Sequence, residues 1–283
     1  MIEKPLFMRN RDLHGAYASG PVTPPLSVAK VPYLEETLQR NVGIEIEVEQ
    51  CGKEKFSLFS GMHVWIVETD QSLRGVNAFE FKSVFPITCA EGIIGIENFF
   101  RMVDILREQK KAKFAFSERT SIHVHVDVRD LTETQIKAAV KLYAIFENSF
   151  FDLIGRDRKH NIFCIPVCET AVFDDKHGDW RGNWDKYCAI NLATLDSYGT
   201  LEFRGMAGND NPQLIIAWIM IVTALVEYAN QHTLEHVEKL IDDLKTESHY
   251  MELAVKLFGE AYAQNLTIFP EASDAAASLT KLL

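Results

Sequence analysis

Between Asn41 and Glu49 the chain alternates. Val42, Ile44, Ile46 and Val48 are apolar and Gly43, Glu45, Glu47 and Glu49 are not, the two-residue period of a strand with one buried face. Ser121 to Val128 repeats the pattern, with Ile122, Val124, Val126 and Val128 on one side and Ser121, His123, His125 and Asp127 on the other. Further strands are predicted at Met62–Glu68, Asn77–Val84, Tyr187–Ala193 and Thr200–Arg204. A helical period takes over in Glu91–Lys110, where Ile93, Ile94, Ile96, Phe99, Phe100, Val103 and Leu106 form one apolar face. A second helix is predicted from about Thr132 to Ile154, opened by a Thr132-x-x-Gln135 capping box. A third runs from Pro212, a residue suited to a first helical turn, to about Gln231. Leu234 to about Asn265, and again a stretch near the end of the chain, reads as further helix with charged faces.

Strands interleaved with long helices, with hairpin-like spacing among the first three strands, predict an α+β fold in which helices pack on one face of an antiparallel sheet. Five of the nine prolines stand at or before Pro32, in a polar opening without sustained periodicity, so residues 1–40 are expected to form an extended arm. Residues 41–231 then make the catalytic body, and 232–283 a helical extension packed on it.

At 283 residues, 47% hydrophobic and 24% charged, the chain can bury a sizeable core, which argues against wholesale disorder. Its net charge of -11 argues against general nucleic-acid binding, which rests on clustered Lys and Arg. Cys51, Cys89, Cys164, Cys168 and Cys188 are too sparse for a disulfide framework and suit a reducing compartment. The longest near-apolar run, Leu214–Val226, falls short of the roughly 20 residues a bilayer span needs and reads as a buried helix. No basic segment followed by an apolar run opens the chain, so the expected location is cytoplasmic, away from membranes.

The polar sides of the strands carry the chemistry. Glu45, Glu47 and Glu49 point the same way, about 6.8 Å apart between alternate residues. Like charges in such a row favour open solvent or a bound cation. His123 and His125 share a face, as do Glu202 with Arg204 and Glu80 with Lys82, while Asp70 and Ser72 stand in the turn beyond Trp65. If these strands share one sheet, carboxylates, imidazoles and a guanidinium converge, and oxygen-rich ligands suit Mg²⁺ or Mn²⁺. No CxxC pair supports a thiolate zinc site, and Cys164-x-x-x-Cys168 near His160 is more simply a pair of buried free thiols. The chain has no GxSxG elbow, no GxxxxGKS/T loop and no GxGxxG turn, so a phosphate group would be held by metal and arginine. Arg204 and the cluster Arg156, Arg158 and Lys159 beyond a helix end are the candidates.

These motifs form an ordered series: Gly43-Ile44-Glu45-Ile46-Glu47, Trp65 with Asp70-x-Ser72, Glu80-x-x-Ser83, and His123-Val124-His125-Val126. Arg156 before an aromatic strand, Lys186-Tyr187 with Asn191, and Thr200-Leu201-Glu202-Phe203-Arg204 continue it. From about Val42 to Gln231 the series resembles the amidoligase family, which is related to glutamate-cysteine ligase and more remotely to glutamine synthetase. The resemblance implies an antiparallel sheet curved around an ATP site with two or three divalent cations, a glutamine synthetase/glutamate-cysteine ligase-like catalytic fold. It implies that Glu45, Asp70 and Glu80 are ligands of one Mg²⁺, and that Glu47, one of His123 and His125, and Glu202 are ligands of another. Arg204, with Glu202 and Arg156, resembles the catalytic set, Arg204 steadying the transferring γ-phosphate; Arg158, Lys186 and Asn191 join Arg204 as nucleotide contacts. The chain departs from the family at Ser83-Val84-Phe85-Pro86, where Ser-Pro is frequent, and across the loop Glu169–Trp184.

The activity so implied is an ATP- and Mg²⁺-dependent carboxylate-amine ligase that makes an amide through an acyl phosphate, from small-molecule or peptide substrates. The alternatives are a metal-dependent hydrolase that needs no nucleotide, a phosphotransferase that stops at phosphoryl transfer, and a non-catalytic binding protein on the same scaffold. The complete ligand series argues against the last. A homo-oligomer is compatible with each.

Overall fold

The computed structural model describes residues 31–51, 65–75, 77–84, 86–109, 113–170, 184 and 186–269. β1 (Asn41–Val48) pairs antiparallel with β3 (Phe79–Ser83), with the short β4 (Ile87–Thr88) and with β5 (Ser121–Asp127). β2 (Trp65–Glu68) flanks β3, and β7 (Thr200–Ala207) lies between β5 and β6 (Ile190–Asn191). The result is an open antiparallel sheet of order β2-β3-β1-β5-β7-β6, with β4 beside β1. Ser83 Oγ accepts from Ile44 N at 3.0 Å and so satisfies β1 in the gap between β3 and β4.

Two predicted strands differ from expectation. Met62–Glu68 is a strand from Trp65, its first three residues lying outside the described ones. Tyr187–Ala193 contracts to the two residues of β6, because Tyr187 O and Ala189 N bond Ile165 and the chain then turns into α4 (Thr194–Tyr198).

The apolar sides of the strands face three long helices, α2 (Cys89–Glu108), α3 (Glu133–Ile154) and α5 (Pro212–Gln231). Phe99 of α2 meets Phe81 of β3 at 5.1 Å between ring centres, Tyr143 of α3 meets Phe203 of β7 at 5.6 Å, and Trp218 of α5 meets Phe203 at 6.4 Å. A Cβ on Gly92 would lie 3.1 Å from Ile44 Cδ1, so the bare glycine lets α2 close on β1. Capping boxes start α2 at Thr88 with Glu91 and α3 at Thr132 with Gln135, and Asn211 caps α5 by accepting from Gln213 N and Leu214 N. By length and composition α5 could cross a membrane, but 78% of its apolar window is buried in the protein, as suits a core helix.

Residues 1–30 of the expected arm lie outside the described residues, and its end is helical where an extended chain was expected. Leu34 and Leu38, one turn apart in α1 (Leu34–Gln39), pack on the core. Arg40 pins that end: Nε donates to Glu227 at 2.7 Å, and the guanidinium forks onto Asp130 at 2.8 and 3.0 Å. Beyond α5 the predicted helical tail divides into α6 (Leu234–Asp242), α7 (Glu247–Phe258) and α8 (Glu260–Ala263), broken by the N-cap Thr246 and by Gly259 at φ 78. The helical stretch expected near the end of the chain lies outside the described residues. Val237, Ile241, Tyr250 and Phe258 bury in the same core as the sheet.

Candidate active site

Strand register assembles the polar face. Glu45 stands opposite Lys82 on one side and His123 on the other, Glu47 opposite Glu80, and His125 opposite Glu202. Asp70 comes from the turn after β2, where its Oδ1 accepts Ser72 N at 2.7 Å. Glu49 does not join its two neighbours; it accepts Arg74 N at 2.8 Å and ties that turn to the end of β1. On β7 a bulge opposite His123 carries the chain from Phe203, paired with Val124, to Met206, paired with Ile122. The extra residue keeps Phe203 and Met206 in the core while Arg204 turns to the polar side with Glu202.

The face closes into a cleft of about 270 Å³ lined by groups of both signs. Glu45, Glu47, Asp70 and Glu80 stand there with His123, and Arg119, Arg158 and Arg204 with Phe163 and Tyr187. Ser121 joins Glu47 to His123 in a chain of hydrogen bonds. Its Oγ lies 2.6 Å from Glu47 Oε2 and 2.8 Å from His123 Nε2, and its N donates to the same Glu47 oxygen at 2.8 Å. An ionised Glu47 only accepts, so the seryl proton points to it and His123 Nε2 is assigned as a donor to the hydroxyl. His123 Nδ1 then faces Glu45 at 3.1 Å and Glu202 at 3.4 Å. With a proton this nitrogen donates to the carboxylates; without one it offers a lone pair to a cation shared with them. His125 is more exposed than His123, its Nδ1 3.0 Å from Thr200 Oγ1 and its Nε2 3.6 Å from Glu45 and 3.9 Å from Glu202.

Three groups bring one donor atom from each member within 4.8 Å of the others: Glu47, Asp70 and Glu80; Glu45, Glu80 and His123; Glu45, His125 and Glu202. Relative to what the resemblance implies, Glu45 and Glu47 exchange partners. Register is the cause, since it sets Glu47 against Glu80 near the Asp70 turn and Glu45 against His123.

The titration of these groups reflects crowding. Burial and the charge of Glu45 push Glu80 up to about 8 despite its contact with Lys82. Burial also opposes ionisation of Glu45, but hydrogen bonds from His123 and His125 outweigh it and hold this carboxyl well below the usual range. In Glu202 burial is overcome by the charges of His123, His125 and Arg204 and by the Asn191 amide, which donates at 2.6 Å. Burial lowers the Arg158 guanidinium.

Of the residues singled out in the sequence, Glu45, Glu47, Asp70, Glu80, His123, Arg158 and Arg204 line the cleft, with His125 and Glu202 adjoining it. Asn191 stands behind Glu202 and orients it. Arg156 and Lys186 are not brought in. Gly155, at φ 139, ends α3 and starts a 3₁₀ turn, Arg156–His160, that turns Arg156 to solvent against Asp152 and buries Arg158, whose Nη2 donates to Arg204 O at 3.2 Å. Lys186 is exposed and lies over the Tyr187 ring at 4.7 Å. Ser121, Arg119, Phe163 and Tyr187 were not among the candidates. Ser121 carried a signal, its place two residues from His123 on one strand face; Arg119 and Phe163 lie in irregular chain without a period. Most of the Glu169–Trp184 loop is outside the described residues.

Carboxylate oxygens with one or two imidazole nitrogens make a donor set for Mg²⁺ or Mn²⁺, and burial with crowding by Glu45 keeps the Glu80 carboxyl raised even beside Lys82. The Nε atoms of Arg158 and Arg204 are buried with no hydrogen-bond partner among the described residues. The cleft therefore gathers donors for a cation and guanidinium groups for an anion. No curated protein matches the chain. The family model described as putative amidoligase enzyme matches residues 29–226.

Proposed function

Because the chain belongs to the amidoligase family, an assignment that suggests a ligase-type enzyme forming amide bonds, we propose that it is an ATP- and Mg²⁺-dependent carboxylate-amine ligase working through an acyl phosphate. The observation that carries the reading is the gathering of acidic groups, histidine and arginines in one cleft. The reading includes a catalytic sheet of the glutamine synthetase and glutamate-cysteine ligase type, supported by the single polar face of the open antiparallel sheet.

A carboxylate resists attack by an amine because oxide is a poor leaving group. In the proposed reaction a carboxylate oxygen attacks the γ-phosphorus of ATP and ADP departs; the amine nitrogen then attacks the acyl carbon, inorganic phosphate departs, and the nitrogen loses a proton. Phosphoryl transfer of this kind is mostly positioning and charge neutralisation. Glu47, Asp70 and Glu80 would hold one divalent ion and Glu45, His125 or His123, and Glu202 another, and such ions supply neutralisation of phosphate charge. Arg204 is fixed by Glu202, and Arg158 by the Arg204 carbonyl, so both guanidinium groups are positioned before an anion arrives. Asn191 and Ser121 orient the carboxylates of Glu202 and Glu47.

The test is a turnover screen with pooled carboxylic acids and amines, ATP and Mg²⁺. ADP, phosphate and a condensed product, each requiring both an acid and an amine, are expected. Hydrolysis without nucleotide, or a phosphorylated product with no amide, would overturn the reading in favour of the hydrolase or the phosphotransferase.

A further inference from the structure

Lys82 places a positive charge among the carboxylates on the β1–β3 side of this face. On β3 it stands opposite Glu45, and its ammonium lies 2.8 Å from Glu80, 3.3 Å from Glu68 and 4.0 Å from Glu45. Glu68 is on β2 opposite Glu80, so three strands converge on this one cation. Two of its partners, Glu45 and Glu80, also belong with His123 to one of the three groups that could surround a metal ion. A divalent ion there and the ammonium would draw on the same oxygens at contact distance, where like charges repel strongly. Each of the other two groups has two members that Lys82 does not approach: Asp70 and Glu47 in one, His125 and Glu202 in the other.

We propose that Lys82 takes the place of one divalent cation, so that the cleft binds two such ions and Lys82 sets that number. The proposal rests on the metal-dependent reading above. Lys82 is a positioning residue: by neutralising the Glu45 and Glu80 pair it leaves Glu80 to the Asp70 side and Glu45 to the His125 side. Glu68, half exposed, holds the ammonium when Glu80 turns toward a metal ion.

The experiment is a titration of the full chain with Mn²⁺, bound ions being counted by electron paramagnetic resonance of the free ion, for the wild type, Lys82→Arg and Lys82→Met. Two ions are expected for the wild type and for Lys82→Arg, which keeps the charge, and three for Lys82→Met. An unchanged count in Lys82→Met, or three ions in the wild type, overturns the role of Lys82 alone. No Mn²⁺ bound to the wild type overturns the metal-dependent reading itself. Should Lys82→Met fail to fold, Glu68→Gln serves: stranding the ammonium on Glu80 should weaken Mn²⁺ binding about tenfold, as loss of one nearby charge implies, and unchanged affinity would overturn the proposal.

Discussion

Glu80→Gln should stabilise the metal-free protein while weakening its response to Mg²⁺. Burial and the charge of Glu45 raise the Glu80 carboxyl from 4.5 to about 8. At low pH the group is neutral in both folded and unfolded chains. As pH rises through the ordinary carboxyl range the unfolded chain loses this proton and the folded chain keeps it, so stability falls until about pH 8. At about 1.36 kcal/mol per pH unit the penalty has an upper bound of about 5 kcal/mol. The substitution also removes the 2.8 Å contact with Lys82, leaving a net gain of about 2–3 kcal/mol, or roughly 5–10 °C in Tm. Thermal unfolding followed by circular dichroism, in chelator at pH 8.5 and pH 5, is the assay. At pH 8.5 Glu80→Gln should melt higher, and at pH 5 the two curves should nearly coincide. Mg²⁺ at pH 8.5 should raise the wild type more than the variant, which keeps the Glu45, His125 and Glu202 group. A variant that melts lower at both pH values would refute the reasoning, because Glu80 would then be ionised and satisfied without a metal ion.

Arg158→Lys should lower turnover about 10²-fold or more with the fold intact, since a point charge replaces a planar fork. Arg156→Lys, at the solvent-facing position, should change turnover by less than about twofold; steady-state kinetics of the pair tests which arginine serves the cleft. Asn191→Ala removes the 2.6 Å bond that orients Glu202 and should weaken Mn²⁺ binding about 10–100-fold at a stability cost near 1 kcal/mol, read by titration and melting. Gly155→Ala puts a Cβ 2.7 Å from that of Ala207 at a φ of 139. Urea unfolding should register a loss of about 1–3 kcal/mol.

The parts of the site that sit on β1 and β5 were legible because one side of each strand is apolar throughout and a one-residue slip would bury every charge. Glu45, Glu47, His123 and His125 followed directly. The long helices were equally plain, and only the cap at Thr88 moved the start of α2. What could not be read was set by tertiary structure. The bulge that presents Arg204, and the choice of Arg158 over Arg156, depend on backbone steps at β7 and Gly155 that no side-chain period records. The exchange of partners between Glu45 and Glu47 follows from inter-strand register, and the acidic triplet divides because Glu49 is drawn to Arg74 N. The helical end of the arm, α1, was hidden by the prolines before it, although Leu34 and Leu38 already had the spacing of one helical face.

The most direct test is a crystal of the full chain grown with Mn²⁺ and a non-hydrolysable ATP analogue, examined by anomalous scattering. Peaks within bonding distance of the Glu47, Asp70 and Glu80 oxygens and of Glu45, Glu202 and a histidine, with the γ-phosphate toward Arg158 and Arg204, are expected. Ions and nucleotide bound elsewhere, with these side chains left facing one another, would contradict the account.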